Sequence, residues 1–130
     1  MKFNSLIPEL YVSDFQKSLK FYTDIGFKIE YQRNNPDFAF LSFQNNQIMI
    51  QQSEPEWTTG KLEYPYGRGI NFQIEVKNID LIFNSIKKNN YPIKSPIKEN
   101  HYKKGNKVLT CKEFLVMDPD GYLLRFSKQV

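Results

Sequence analysis

The sequence predicts an α+β fold of two tandem βαβββ modules. Their helices lie on the outer face of a curled mixed sheet, and a ligand cleft lies on the inner face. Three observations lead there. Two alternating strand-like runs each lead into a helix with one apolar face. Three more strand-like runs follow each helix. The two halves also match at fixed offsets. A shift of 64 brings Leu10 onto Ile74, Val12 onto Val76, Leu19 onto Phe83 and Ile29 onto Ile93. A shift of 76 brings Phe38 onto Phe114, Ile48 onto Leu124 and Ile50 onto Phe126. The twelve residues separating the two offsets fall in a loop of the second half. Recurrence of one supersecondary unit at a fixed spacing is the mark of an internally repeated fold.

In chain order, Leu6–Val12 alternates like a strand, with Pro8 placing it at an edge or a strand start. Ser13 and Gln16 fit a capping box, and Phe15, Leu19 and Tyr22 then recur at helical spacing up to Gly26, a C-cap glycine. Phe27–Gln32, Phe38–Phe43 and Gln47–Gln51 read as strands, separated by turns at Asn34–Asp37 and Gln44–Asn46. Ser53–Arg68 shows no period and is expected to be a loop, long enough to suggest a functional role. Ile70–Val76 reads as a strand, and Asn78 caps a helix carrying Ile79, Ile82, Phe83 and Ile86. Tyr91–Ile93 begins a strand, Lys94–Gly105 reads as a polar loop, and Lys107–Cys111 leads into a hairpin at Glu113–Phe126. That hairpin turns at Asp118-Pro119-Asp120-Gly121, where Pro119 presets φ and Gly121 accepts a positive one. The expected organisation is one domain over 1–130, with module 1 at about 5–52, a linker at 53–68 and module 2 at about 69–128.

Composition narrows the class. The chain of 130 residues has 11 Phe and 8 Tyr, which argues against disorder. No apolar run is long enough to span a bilayer, and no signal peptide is evident, so a cytoplasmic protein without membrane contact is expected. Cys111 is the only cysteine and His101 the only histidine, which leaves no internal disulfide and no His pair for a metal or a proton relay. The net charge of +4 allows an anionic ligand. The lysines are scattered apart from Lys103, Lys104, Lys107 and Lys112, which are expected on a solvated loop. No nucleic-acid-binding motif is present, and no nucleic-acid partner is expected.

Three segments carry a resemblance: IPELYVSDFQKSLKFYTDIGF, GINFQIEVKNID and FLVMDPDGYLLRF. With them the chain resembles the vicinal-oxygen-chelate superfamily of glyoxalase I, extradiol dioxygenases, fosfomycin-resistance enzymes and bleomycin-resistance proteins. The resemblance implies a divalent metal held by His, Glu or Gln at four positions. These match Ile7, Met49, Asn71 and Arg125 here. None of the four is a His or a carboxylate, so no metal and no other cofactor is expected. The closest likeness is then to the bleomycin-resistance branch, whose members bind drug without turnover in grooves formed by paired subunits.

Strand alternation places candidate ligand-binding residues on the inner face. Glu9 and Tyr11 share the face of Ile7, Gln51 shares that of Met49, and Gln73 shares that of Asn71. Arg125 shares a face with Leu123, and Glu9 is a candidate partner for it. Phe38 either stacks on a planar ligand or fills the core. Trp57 and Tyr102, on the expected loops, complete the set, in which polar groups among apolar ones suit a small-molecule pocket. No catalytic residue is assigned: Asp118 and Asp120 are explained by their turn, and Cys111 with His101 has no motif spacing. The reading is a metal-free, homodimeric binding protein that sequesters an amphipathic aromatic ligand or antibiotic. The alternative is a glyoxalase- or dioxygenase-like enzyme acting on a small substrate.

Overall fold

The computed structural model describes residues 1–52 and 55–130. Ser53 and Glu54, the first residues of the expected loop, lie outside the described residues. Two compact units divide the chain, Met1–Tyr66 and Gly67–Val130.

The first unit runs β1 (Glu9–Val12), α1 (Phe15–Asp24), β2 (Lys28–Arg33), β3 (Phe38–Phe43) and β4 (Asn46–Gln52), then a short 3-10 turn at Pro55–Trp57. The second runs β5 (Asn71–Glu75), α2 (Ile79–Lys88), β6 (Ile93–Lys104), β7 (Lys107–Met117) and β8 (Leu123–Gln129). Both are βαβββ modules with equivalent sheets, ordered β1-β4-β3-β2 and β5-β8-β7-β6. In each, the first strand pairs parallel with the last and the remaining pairs are antiparallel. Strand pairing stays within a module, so each sheet is open and four-stranded.

Each helix forms because its apolar residues fall on one side. In α1 these are Phe15, Phe21 and Tyr22; in α2 they are Ile79, Ile82 and Ile86, all buried. The sheet faces turned to them carry Leu10, Val12, Ala39, Leu41, Ile48 and Ile50 in module 1 and Ile74, Phe114, Val116, Leu124 and Phe126 in module 2. In module 2, Phe114 and Phe126 stack at 5.1 Å between ring centroids, with Phe83 of α2 edge-on to Phe114 at 5.2 Å. The helix N-termini differ from expectation at one residue. Asp14, not Ser13, caps α1, its carboxylate accepting from the Lys17 amide. Gln52, at the end of β4, accepts from the Phe15 amide and donates to the Ser13 carbonyl. It supports the helix start from another strand, as Gln16 was expected to do locally. Asn78 caps α2 through the Leu81 amide as expected. The repeat extends to the C-terminal ends: Gly26 (φ +120) after α1 has its counterpart in Asn90 (φ 61), 64 residues on. Asn is a residue that tolerates this region.

The largest departure lies in module 2. The segment Lys94–Gly105, expected to be a polar loop, is nearly all strand: β6 runs for 12 residues and β7 for 11, whereas β2 and β3 have six each. The twelve inserted residues thus lengthen a hairpin. Its strands are polar because β6 is an edge strand, and polar alternation there resembles a loop composition. The next turn is as expected. The buried Asp118 carboxylate accepts from the Asp120 and Tyr122 amides, and Gly121 takes φ 94.

Candidate functional site

One face of each sheet is covered by its helix. The opposite face of sheet β5-β8-β7-β6 carries the candidate site. Alternation puts Phe114, Val116, Leu124 and Phe126 under α2 and turns Glu113, Leu115, Leu123 and Arg125 the other way. Gln73 of β5 stands opposite Arg125, Arg125 opposite Leu115, and Leu115 opposite Ser95 of β6, a row across all four strands. Glu113 lies one step along, opposite Lys98. Between these rows and the β6 side chains is a groove of about 340 Å³, lined by Ser95, Lys98, Asn100, Tyr102, Glu113, Leu115 and Arg125 among others.

Glu113 organises the groove. It is buried and accepts from the Tyr102 hydroxyl and, at 3.0 Å, from Asn100 Nδ2. Arg125 Nη1 lies 3.5 Å from its second oxygen. Arg125 in turn donates from Nη2 to Gln73 Oε1 at 2.8 Å, and its Nε is buried without a partner. Burial acts to raise the Glu113 carboxyl, but the hydrogen bonds from Tyr102 and Asn100 and the charge of Arg125 outweigh it and hold the group below the usual carboxylate range. Tyr102 moves the other way: its hydrogen bond to Glu113, with burial and the carboxylate charge, pushes the phenol above its ordinary value. The carboxylate is therefore kept ionised and the phenol protonated.

The structure joins three of the expected residues, Gln73, Tyr102 and Arg125, in this one network. Asn71 is two residues along β5 on the same face, exposed and opposite Leu123. Glu113 and Asn100 were missed. Glu113 was legible in principle. Counting back from the Asp118–Gly121 turn pairs Leu115 with Arg125 and leaves Glu113 diagonal to the arginine on the same face. Asn100 was hidden by reading β6 as a loop. Within its unit, the acidic partner of Arg125 is Glu113.

The other expected residues belong to module 1. Glu9 pairs with Met49, and Tyr11 with Gln51, which also faces Phe38, so these five share one sheet face. Glu9 is exposed, Met49 and Gln51 are half-buried, and Tyr11 and Phe38 are buried. The Arg33 guanidinium covers the Phe38 ring at 3.9 Å, with Tyr31 beside it. Phe38 is itself 1% exposed. Trp57, on the 3-10 turn, is 76% exposed. A cavity of about 320 Å³ in this module, bordered by Met1, Lys2, Asn4 and Gln47, holds none of the expected ligand-binding residues. His101 is exposed but belongs to β6, its Nδ1 2.9 Å from Thr110 Oγ1.

A family model matches residues 3–126, and its description is Glyoxalase/Bleomycin resistance protein/Dioxygenase superfamily. The chain belongs to this superfamily. A superfamily member from Vibrio splendidus 12B01 is 30% identical over 95% of this chain and 97% of its own, with a TM-score of 0.44. Two other solved structures share the fold. A virulence protein of Salmonella typhimurium is 22% identical over the whole of both chains at TM-score 0.70. A genomically encoded fosfomycin resistance protein of Listeria monocytogenes is 19% identical over 100% of this chain and 96% of its own, at TM-score 0.65. No curated protein matches the chain.

The metal that the superfamily resemblance implies does not fit these residues. Its four positions carry an alkyl chain (Ile7), a thioether (Met49), an amide (Asn71) and a fixed cation (Arg125) that Glu113 and Gln73 already engage. Among the described residues, no three His, Cys, Asp or Glu side chains converge into a metal-binding group.

Proposed function

We propose that the chain is a metal-free binding protein that holds a small amphipathic aromatic molecule without turning it over, in the manner of the bleomycin-resistance branch. The supporting observation is the groove around Glu113 and Arg125. A fixed network of polar groups stands beside Leu115 and the half-exposed ring of Tyr102, which combines orientation with apolar contact. Binding without turnover is what the likeness to the bleomycin-resistance branch implies. Two cations, Arg125 and Lys98, face one carboxylate, Glu113, so the groove favours an uncharged or anionic ligand over cationic bleomycin. The fold shared with a fosfomycin resistance protein fits a resistance role.

Calorimetric titration with 2-naphthoate, 2-naphthol and metal-free bleomycin tests the proposal. Heat from the naphthyl probes, weakened in Arg125→Gln for the carboxylate and little changed for the naphthol, is expected. Heat from none of the three would reject it.

We also propose that the chain pairs with a second copy. The support is its open sheets, each with two edge strands that pairing between copies would protect. A sedimentation mass of one chain across micromolar concentrations would contradict pairing. No described helix is long and apolar enough to cross a membrane.

A further inference from the structure

On the face of sheet β1-β4-β3-β2 turned away from α1, two rows of side chains run across the strands. One holds Gln47 opposite Ser42; the next holds Glu9, Met49, Phe40 and Tyr31. Tyr31 stacks beside Phe40 at 5.4 Å between ring centroids, and Met49 adjoins Phe40 on its other side. Residues 2–4, which belong to no strand or helix, lie over these rows. One side chain holds them there. Gln47 Oε1 accepts from the Asn4 amide at 2.7 Å, and Gln47 Nε2 donates to the Lys2 carbonyl at 2.7 Å. Gln47 thus pairs with the peptide groups on either side of Phe3, as a neighbouring strand would, and the Phe3 ring meets Phe40 edge-on at 5.2 Å.

This hold is loose. Both bonds to Gln47 are exposed, as is a third from Asn4 Nδ2 to the Asn45 carbonyl at 2.9 Å. Water replaces exposed bonds of this kind at small net cost. Phe3 remains 55% exposed, although Phe40 beneath it is 1% exposed. A cavity of about 320 Å³, bordered by Lys2, Asn4, Ser42 and Gln47, remains between the segment and the strands.

We propose that this face is a binding site for a small neutral aromatic amide, and that residues 2–4 fill it as a removable strap. The strap itself specifies the ligand chemistry. It presents one ring flanked by a carbonyl and an N–H. The face meets the ring with Phe40 and the polar pair with the Gln47 amide. Such an amide offers a donor and an acceptor without charge, so it matches an uncharged ligand that carries both. A carboxylate lacks the donor that Gln47 Oε1 accepts. The site lies within module 1 and is independent of the groove at Glu113.

N-acetylphenylalaninamide reproduces the ring, the carbonyl and the N–H, and is the probe; N-acetylalaninamide is the control. Backbone and ring NMR of the full chain reads binding at Tyr31, Phe40, Gln47 and Met49. A tethered competitor acts at an effective concentration of millimolar order, so its release should tighten probe binding roughly ten-fold. Phe3→Ala combined with Asn4→Pro removes the ring and the N–H of the strap, and circular dichroism checks that the fold is kept. The probe should saturate these signals at roughly ten-fold lower concentration in this variant than in the parent. Adding Gln47→Leu should remove the gain, and the control should shift nothing. Affinity no tighter than in the parent, or equal shifts from the control, overturns the proposal. The parent alone supplies a second readout: saturating probe should abolish the nuclear Overhauser contact between the Phe3 and Phe40 rings. A contact that persists at saturation, or no binding at millimolar probe, overturns the proposal equally.

Discussion

Tyr102 donates its hydroxyl proton to the buried Glu113 carboxylate across the β6–β7 pair, and Arg125 approaches the other carboxylate oxygen from β8. One acidic side chain thus fixes both a ring and a guanidinium of the candidate groove.

Glu113→Gln should loosen that arrangement. The neutral amide still accepts from Tyr102 but no longer balances Arg125. Because the arginine side chain is 30% exposed, water offsets part of the loss. A destabilisation of about 1–3 kcal/mol, read by urea unfolding, is expected. The Tyr102 phenol, followed by its ring NMR signals, should titrate at lower pH than in the parent, since the carboxylate is what raises it.

Acid should weaken the parent more than this variant. The folded-state Glu113 carboxyl lies below its ordinary value. Its stabilising contribution is therefore complete above the ordinary carboxylate pKa and is lost as pH falls through the depressed value. Unfolding free energy measured downward from neutral pH should fall less steeply in Glu113→Gln. Identical acid limbs would contradict the role given to Glu113.

Asp118 should matter for folding and not for binding. Its buried carboxylate takes two backbone amides of the β7–β8 turn, and Asp118→Ala leaves both without that acceptor. A loss of about 1–3 kcal/mol is expected, with Asp118→Asn retaining part of it. Naphthyl affinity measured well below the unfolding transition should not change.

Phe114→Ala tests the packing under α2. Its ring is buried between Phe126 and Phe83, and its removal opens a cavity in the module core. A loss of about 3–5 kcal/mol is expected in the same unfolding experiment.

The fold was largely legible because its signals are periodic. Leu10 and Ile74, or Ile50 and Phe126, occupy equivalent positions as the offsets predicted, whereas the register corrects the match of Phe38 with Phe114 by one residue: Phe114 is the counterpart of Ala39, and Phe38 that of Glu113. The two misreadings share a cause. At β6, Lys98, Asn100, Tyr102 and Lys104 alternate with residues just as polar, so an edge strand shows no apolar period to detect. At α1, the support given by Gln52 comes from 37 residues away in sequence, beyond what a local capping pattern can show. The site was half-legible for the same reason. Gln73, Tyr102 and Arg125 could be proposed one at a time from strand parity. Glu113, which joins them, needs the register between three strands.

Central to this account is the claim that the groove at Glu113 and Arg125 binds a small aromatic molecule unchanged. Titration of isotope-labelled protein with 2-naphthoate, followed by backbone NMR, tests it most directly. Shifts concentrated at Ser95, Asn100, Tyr102, Glu113, Leu115 and Arg125 are expected, with the probe recovered intact. Shifts confined to module 1, or none at millimolar probe, would contradict it.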